Sequence, residues 1–342
     1  MAQQGADRAF SQPRAAWSVR IDGGQDLTDR FEPLLVSLRL TEQRAESCDE
    51  LEIVLVDRTG EIELPPEGSR LQVSLGWERG TGVAIGLVDK GTFLVDEVAW
   101  DGPPDRITLR ARSADMAKSF RTRRTRTWNG KTIGEIVGQV AADNGLNAAC
   151  HPDFAATVVT SVEQANKSDM QLLRDLGRRY DAIATVKDGN LIFAPIGADT
   201  TVGGSPIPSI ELTRSAGDRY SYRRASREKA QDGAEATWHD QGAAKQKTAS
   251  HGGQNRKRLK RIYASQADAD AAAKSETNRL ARAAASFEVT LAYGDAAIAA
   301  GMKATLSGFK SEIDAKTWRI ARVEHEMDSN GFRSRLEMET AG

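Results

Sequence analysis

The sequence predicts an α+β protein, mainly β: two similar small β-barrel domains flank a central α/β module, and an Ala-rich helix is inserted in the second barrel. Three observations predict it. Apolar and polar residues alternate with a period of two in both outer parts of the chain. Two capped segments with a helical apolar period lie together in the middle. Segments of the two outer parts also resemble each other, in the same order.

Residues 1–15 read as a polar, flexible lead, without the apolar core of a secretion signal. The first barrel is expected over residues 16–118. WSVRI and PLLVSLRL open it. LEIVLVD places Leu51, Ile53 and Leu55 on one face, and RLQVSLGW does the same with Leu71, Val73 and Leu75. TFLVDEVAW and RITLRAR follow, with Ile107, Leu109 and Ala111 alternating, and Pro-Gly clusters at 65–68 and 102–104 mark turns. Short strands at this spacing suggest a small barrel or sandwich.

The central module is expected over residues 119–203. It begins with a basic stretch containing Arg121, Arg123, Arg124 and Arg126. That stretch reads as a solvated linker or, since Arg is favoured at interfaces, as a subunit or partner contact. No aromatic residues interleave these arginines as they do in nucleic-acid grooves. Thr132 and Glu135 then form a capping box, and Ile133, Ile136, Val137, Val140 and Ala141 make one face of a helix that Asn144-Gly145 can end. Ser168 and Gln171 repeat that start signal before a stripe of Leu172, Leu173, Leu176 and Tyr180. AIATVKDGNLIFAP reads as a hairpin turning at Asp188-Gly189.

The second barrel is expected over residues 204–342. IPSIELTR, DRYSYRRASRE and AEATWHD read as strands. Residues 241–261 are polar and basic, with Arg256, Lys257 and Arg258 among them, and read as a solvated loop or a partner contact. Ser265 and Asp268 cap an Ala-rich helix at about 266–285, and FEVTLAY, TWRIARVEHEM and FRSRLEME complete the strands. An internal duplication accounts for two similarities. RAESCDELEIVLVD aligns without gaps on REKAQDGAEATWHD, and TFLVDEV on TWRIARV, pairing Thr92 with Thr317, Val95 with Ile320 and Val98 with Val323.

With 47 basic and 48 acidic residues the net charge is −1, which gives no global attraction to nucleic acid or to an anionic membrane. No apolar run reaches the ~18 residues of a spanning helix, so no membrane insertion is expected. Two cysteines, Cys48 and Cys150, read as free thiols in a chain made in the cytoplasm. The four histidines show no metal-ligand spacing, and neither a nucleophile elbow nor a phosphate-binding loop is present. No catalytic residue, cofactor or metal is assigned, and the chain reads as a non-enzyme.

The order WNGKTIGEIV…NGL followed by QANKSDMQLLRDLGRRYDAIATVKDGNLIF resembles the phage late control protein D family, the baseplate hub proteins of contractile phage tails. The resemblance covers most of the chain and is most specific over Asn166–Phe193. It implies a structural homotrimer that adapts a sixfold tail tube to a threefold central spike. Its implied partners are the tube, the spike and further proteins such as the tape measure, with DNA only passing through the lumen. The segment from Trp128 to about Asp153 also resembles the first half of a LysM module. That implies a glycan-binding or peptidoglycan-hydrolysing alternative, with Trp128 and Asn129 as candidate contacts. A further alternative is the tube-side part of a type VI-like secretion spike. The chain ends at Gly342 without a β-helical repeat, so any spike is expected to be a separate protein.

Overall fold

A computed structural model describes residues 11–22, 24–44, 48–60, 62–66, 68–113, 120, 122–187, 189–224 and 231–341. Residues 1–10 of the expected 1–15 lead, Arg121 and Asp188 of the hairpin turn lie outside the described residues, and the end of that lead, Arg14 and Ala15, is already strand.

The first part contains β1 (Arg14–Ile21), β2 (Gln25–Asp26), α1 (Thr28–Phe31), β3 (Leu35–Gln43), β4 (Glu50–Val56), β5 (Arg70–Arg79), β6 (Gly86–Asp101) and β7 (Arg106–Ser113). Alternation dictates these strands. Leu51, Ile53 and Leu55 are buried on the inner face of β4, as are Leu71, Val73 and Leu75 on β5. Each such side chain contributes roughly 1.5–3 kcal/mol by leaving water.

The middle part contains β8 (Arg123–Thr132), α2 (Ile133–Asp143), β9 (Asn147–Cys150), α3 (Pro152–Ala155), β10 (Val158–Ser168), α4 (Asp169–Tyr180), β11 (Ala182–Lys187) and β12 (Asn190–Pro195). Thr132 Oγ1 accepts from the Glu135 N–H at 3.1 Å and Glu135 Oε2 accepts from the Thr132 N–H at 2.8 Å, closing the capping box. The five apolar residues of the α2 stripe are all buried. Gly145, at φ +70°, takes the left-handed position after the helix. β8 and β10 pair antiparallel, while β9 joins β12 in a separate three-stranded sheet with β11. The basic stretch expected as a linker is therefore largely strand, from Arg123 onward.

The last part contains β13 (Ser209–Thr213), β14 (Gly217–Arg224), β15 (Gly233–Asp240), β16 (Lys245–Gly252), β17 (Arg256–Tyr263), α5 (Gln266–Arg282), β18 (Ala285–Leu291), β19 (Lys303–Ser307), α6 (Ser311–Asp314), β20 (Thr317–Asp328) and β21 (Gly331–Thr340). Residues 241–261, expected as a loop, instead supply β16 and β17, which flank β15 in their own sheet. Helix α5 covers that sheet through a core made of alanines: Ala236, Ala249, Ala269 and Ala273.

The two outer parts repeat one topology. In the first, the strand order is β3-β4-β7-β6-β5-β1; in the last it is β14-β18-β21-β20, continuing through β19 to β13. Taken in chain order, these six strands correspond one to one, with β15, β16, β17 and α5 inserted between β14 and β18, and the two-residue β2 has no counterpart. The register agrees as well. The β6·β7 ladder shifts between Val95 and Glu97, and β20·β21 shifts between Ile320 and Arg322. Both bulges fall at the same place in the alignment of Thr92 with Thr317. At each, the same pair of backbone bonds recurs: Gly68 N–H to Val95 O and Val95 N–H to Ser69 O in one, Gly301 N–H to Ile320 O and Ile320 N–H to Met302 O in the other. One strand breaks the match, since β1 runs antiparallel to β5 whereas β13 runs parallel to β19.

The ladders correct the other sequence alignment. Leu51 and Phe287 both lie beside the strand that follows the bulge, at Ala111 and Met338 respectively. The counterpart of β4 is therefore β18, and the charged residues shared by 44–57 and 227–240 are coincidental, because β15 belongs to the insert. Neither half closes on itself as a separate barrel. Past its bulge β20 leaves β19 and pairs with β3, so both halves lie in one 13-stranded open sheet.

Candidate subunit-contact surface

The seam between the halves is the most built feature of the molecule. β20 runs antiparallel to β3 from Arg322 opposite Gln43 to Asp328 opposite Ser37. Its inner face buries His325, Met327, Leu38 and Leu40. On its outer face Arg39 reaches Glu326 at 2.9 Å, Glu52 at 3.6 Å and Glu324 at 3.9 Å.

A polar cluster closes the inner face. Lys90 Nζ, 4 % exposed, lies 2.8 Å from Glu42 Oε2 and donates to Ala296 O at 2.9 Å. His325 Nε2 sits 3.3 Å from both Glu42 Oε2 and Ile298 O. Both are acceptors, so the network assigns the proton of the neutral ring to Nε2, and Nδ1 then accepts from Ser334 Oγ at 2.8 Å. Burial opposes charge on Glu42, but the hydrogen bond from His325 and the Lys90 ammonium outweigh it and hold the carboxyl at about 2. Burial likewise pushes His325 below the usual imidazole range.

The middle module is bolted on by a second set of buried charges. Arg179 on α4 lies 3.2 Å from Asp268 on α5, and Tyr180 Oη donates to the same carboxylate at 2.9 Å. Arg282 forks onto Asp181 at 2.8 and 2.5 Å, and its Nε lies 3.4 Å from Glu339, which also meets Arg44 at 2.5 Å. These contacts join α4, α5, β21 and the end of β3.

The basic residues singled out in the sequence divide into engaged and free. Arg124 and Arg126 both bind Asp143, at 3.0 and 2.5 Å, and Arg126 also reaches the buried Asp169 at 2.5 Å. Lys257 pairs with Glu276 at 2.7 Å, and Arg256 Nε donates to Gly253 O at 2.9 Å. Arg123 and Arg258 are exposed, Arg258 reaching Glu235 only at 3.9 Å. Trp128 packs in the core of the middle module beneath Arg126, whose guanidinium lies 5.1 Å above its ring, and is closed to a sugar. Asn129 is exposed and accepts from Ser161 Oγ at 2.8 Å. Among the described residues no cluster of His, Cys, Asp or Glu could hold a metal. Cys150 is a free thiol, and burial pushes it up to about 11.

Sequence reasoning missed Glu42 and Lys90, which lie far from each other and from His325 along the chain. It also missed Trp100 and Tyr220, large aromatics left 58 % and 45 % exposed on β6 and β14. Their only signal was an aromatic at the polar end of a strand.

Two predictions follow from burial. Lys90→Met, which strands the Glu42 carboxylate, is expected to cost about 3–5 kcal/mol in denaturant unfolding at neutral pH. Glu42 has a depressed folded pKa, so its contribution is present above the unfolded value of about 4.3 and is lost as pH falls towards about 2. The gap between variant and parent therefore narrows below about pH 4.3. Trp128→Ala is expected to destabilise by about 3–5 kcal/mol as a core truncation, with Asn129→Ala near neutral.

The family model and the sequence relatives agree on one family. A family model described as the phage tail baseplate hub (GPD) matches residues 47–331. Two proteins each named a probable baseplate hub protein, from Escherichia phages 186 and P2, are 33% identical over 92% of this chain and 90% of their own. Among solved structures, the 43 kDa tail protein of prophage MuSo2 from Shewanella oneidensis superposes with a TM-score of 0.64 at 14% identity, covering 95% of this chain and 98% of that one. An Escherichia coli component of the type VI secretion system gives 0.57 at 12% identity, covering 94% and 76%. That component is described as structurally similar to the T4 bacteriophage tail proteins gp27 and gp5.

Proposed function

The chain belongs to the phage tail baseplate hub family, and on that premise we propose that it works as a ring of three copies joining a sixfold tail tube to a threefold central spike. The observation that carries this reading is the repeated topology. Each copy presents two units of matching strand order and matching bulge, so three copies present six similar wedges around a true threefold axis. One face of such a ring can meet a sixfold partner while the other keeps threefold symmetry.

We take each half, residues 16–118 and 204–342, as a barrel-like wedge of that ring, and residues 119–203 as a LysM-shaped module attached outside it. The tube, the spike and the tape measure are the proposed partners, with assembly in the host cytoplasm and DNA passing only through the lumen. Exposed Arg123 and Arg258 are the proposed partner contacts of the two basic runs. The role is structural: the buried charges described above are all committed to holding the halves and the module together. The type VI-like reading shares this geometry and differs only in whether the spike is part of the same polypeptide.

Light scattering on the full chain, alone and with its spike, is expected to give a mass of three copies. A monomer in the presence of both tube and spike proteins removes the proposal. Asp268→Ala, which leaves Arg179 buried without its partner, is expected to cost about 3–5 kcal/mol and to release α5 from α4, seen as lost hydrogen-exchange protection in both helices.

A further inference from the structure

The internal seam has a missing counterpart. In the last half, β20 beyond its bulge pairs with β3. The equivalent stretch of β6, from Glu97 to Asp101, pairs with β7 on one side only, because the β5 ladder stops at Leu94. The equivalent of β3 is β14, which pairs with β18 and ends the sheet. Among the described residues, each half of the seam thus recurs once as an edge without a strand beside it.

We propose that these two edges meet between copies: β14 of one chain pairs antiparallel with β6 of the next, reproducing the β20·β3 seam. The inference rests on the ring reading and names its interface. The register follows from the internal ladders. Val323 corresponds to Val98 and His325 to Trp100, two and four residues past the shared bulge. Leu38 and Leu40 lie opposite Ile53 and Leu51, as Tyr220 and Tyr222 lie opposite Val289 and Phe287. Since His325 faces Leu40 and Glu42 faces Val323, Trp100 falls opposite Tyr222 and Val98 opposite Arg224. Ala99 then faces Arg223, and Asp101 faces Ser221. The ladder stops past Gly102, because Pro103 has no N–H to give.

Burial and charge both fit a second copy. His325, Leu38 and Leu40 are fully buried in the internal seam, whereas their counterparts Trp100 and Tyr220 are 58 % and 45 % exposed and Tyr222 is half-buried. Exposed aromatics along an open edge strand invite strand addition, and the internal seam shows which strand this fold adds there. On its outer face the internal seam also sets Arg39 of β3 against Glu324 and Glu326 of β20. The open edges keep that polarity on the same face: Arg219 and Arg223 on β14, and Glu97 and Asp101 on β6. In this register Arg223 sits between Glu97 and Asp101 on one face of the sheet. Because the two edges differ, the contact is heterologous and closes only as a ring.

The test is cross-linking in the full chain carrying Cys48→Ser and Cys150→Ser. Ala99→Cys with Arg223→Cys is expected to give, on oxidation, covalent species that end at three copies, while either cysteine alone gives none. In the parent chain Asp101→Arg is expected to raise the concentration for half-assembly about tenfold or more, and adding Arg223→Asp to restore it. Trimers by light scattering that neither cross-link nor respond to the charge swap would overturn this interface and leave the ring standing. Chains that never associate would overturn both.

Discussion

The change of partner along β20 is the constraint on which the rest of the structure depends. A strand of 12 residues spends its first part beside β19 and its second beside β3, with the bulge at Ala321 between them. An extra residue at a bulge bends and twists its strand, and here it turns the strand out of its own half and into the other. The main chain thereby welds two similar units through backbone hydrogen bonds, at a sequence separation of 287 residues for the Arg39–Glu326 contact. Lys90, Glu42 and His325 fill the inner face of that weld. Their charges cost free energy to bury, and they lie where the halves must sit in one orientation only, a specifying use of buried polar groups.

Local structure was legible and long-range pairing was not. The Thr132–Glu135 box and the α2 stripe are written in five residues of helical spacing, and the structure buries every one of them. The inner faces of β4 and β5 were equally plain from alternation. The basic segments failed because RKRLKRIY carries charge on both faces and KQKTASHG has Ala249 as its one apolar residue: the core beneath β16 and β17 is built of alanines with Trp238, Leu259 and Tyr263 beside them, so no long apolar stripe is needed. The expectation of two separate barrels failed for another reason. Nothing in a strand's composition says that its two ends will have different neighbours.

The duplication shows how similarity can mislead at one position and hold at another. Thr92 lies within β6 and Thr317 opens β20, each three residues before the position, Val95 or Ile320, at which its ladder shifts. Arg44, Asp49, Glu52 and Asp57 are identical to Arg227, Asp232, Glu235 and Asp240, yet the ladders make β18 and not β15 the counterpart of β4. The candidate contacts follow the same division. Arg124 and Arg126 looked available because they were basic, yet Asp143 and Asp169 neutralise them inside the module. Trp100 and Tyr220, unremarked in the sequence, lie on the two open edges.

The alanine core of the insert has a mechanical meaning. Methyl groups contribute little hydrophobic free energy each, so α5 and its three strands are held less by their own interior than by Asp268, Asp181 and Glu339 reaching their arginines across to neighbouring elements. A unit held this way is expected to open at a lower free energy than the large sheet. An insert hung on charges rather than on a shared core leaves the ladders of the 13-stranded sheet unbroken on either side of it.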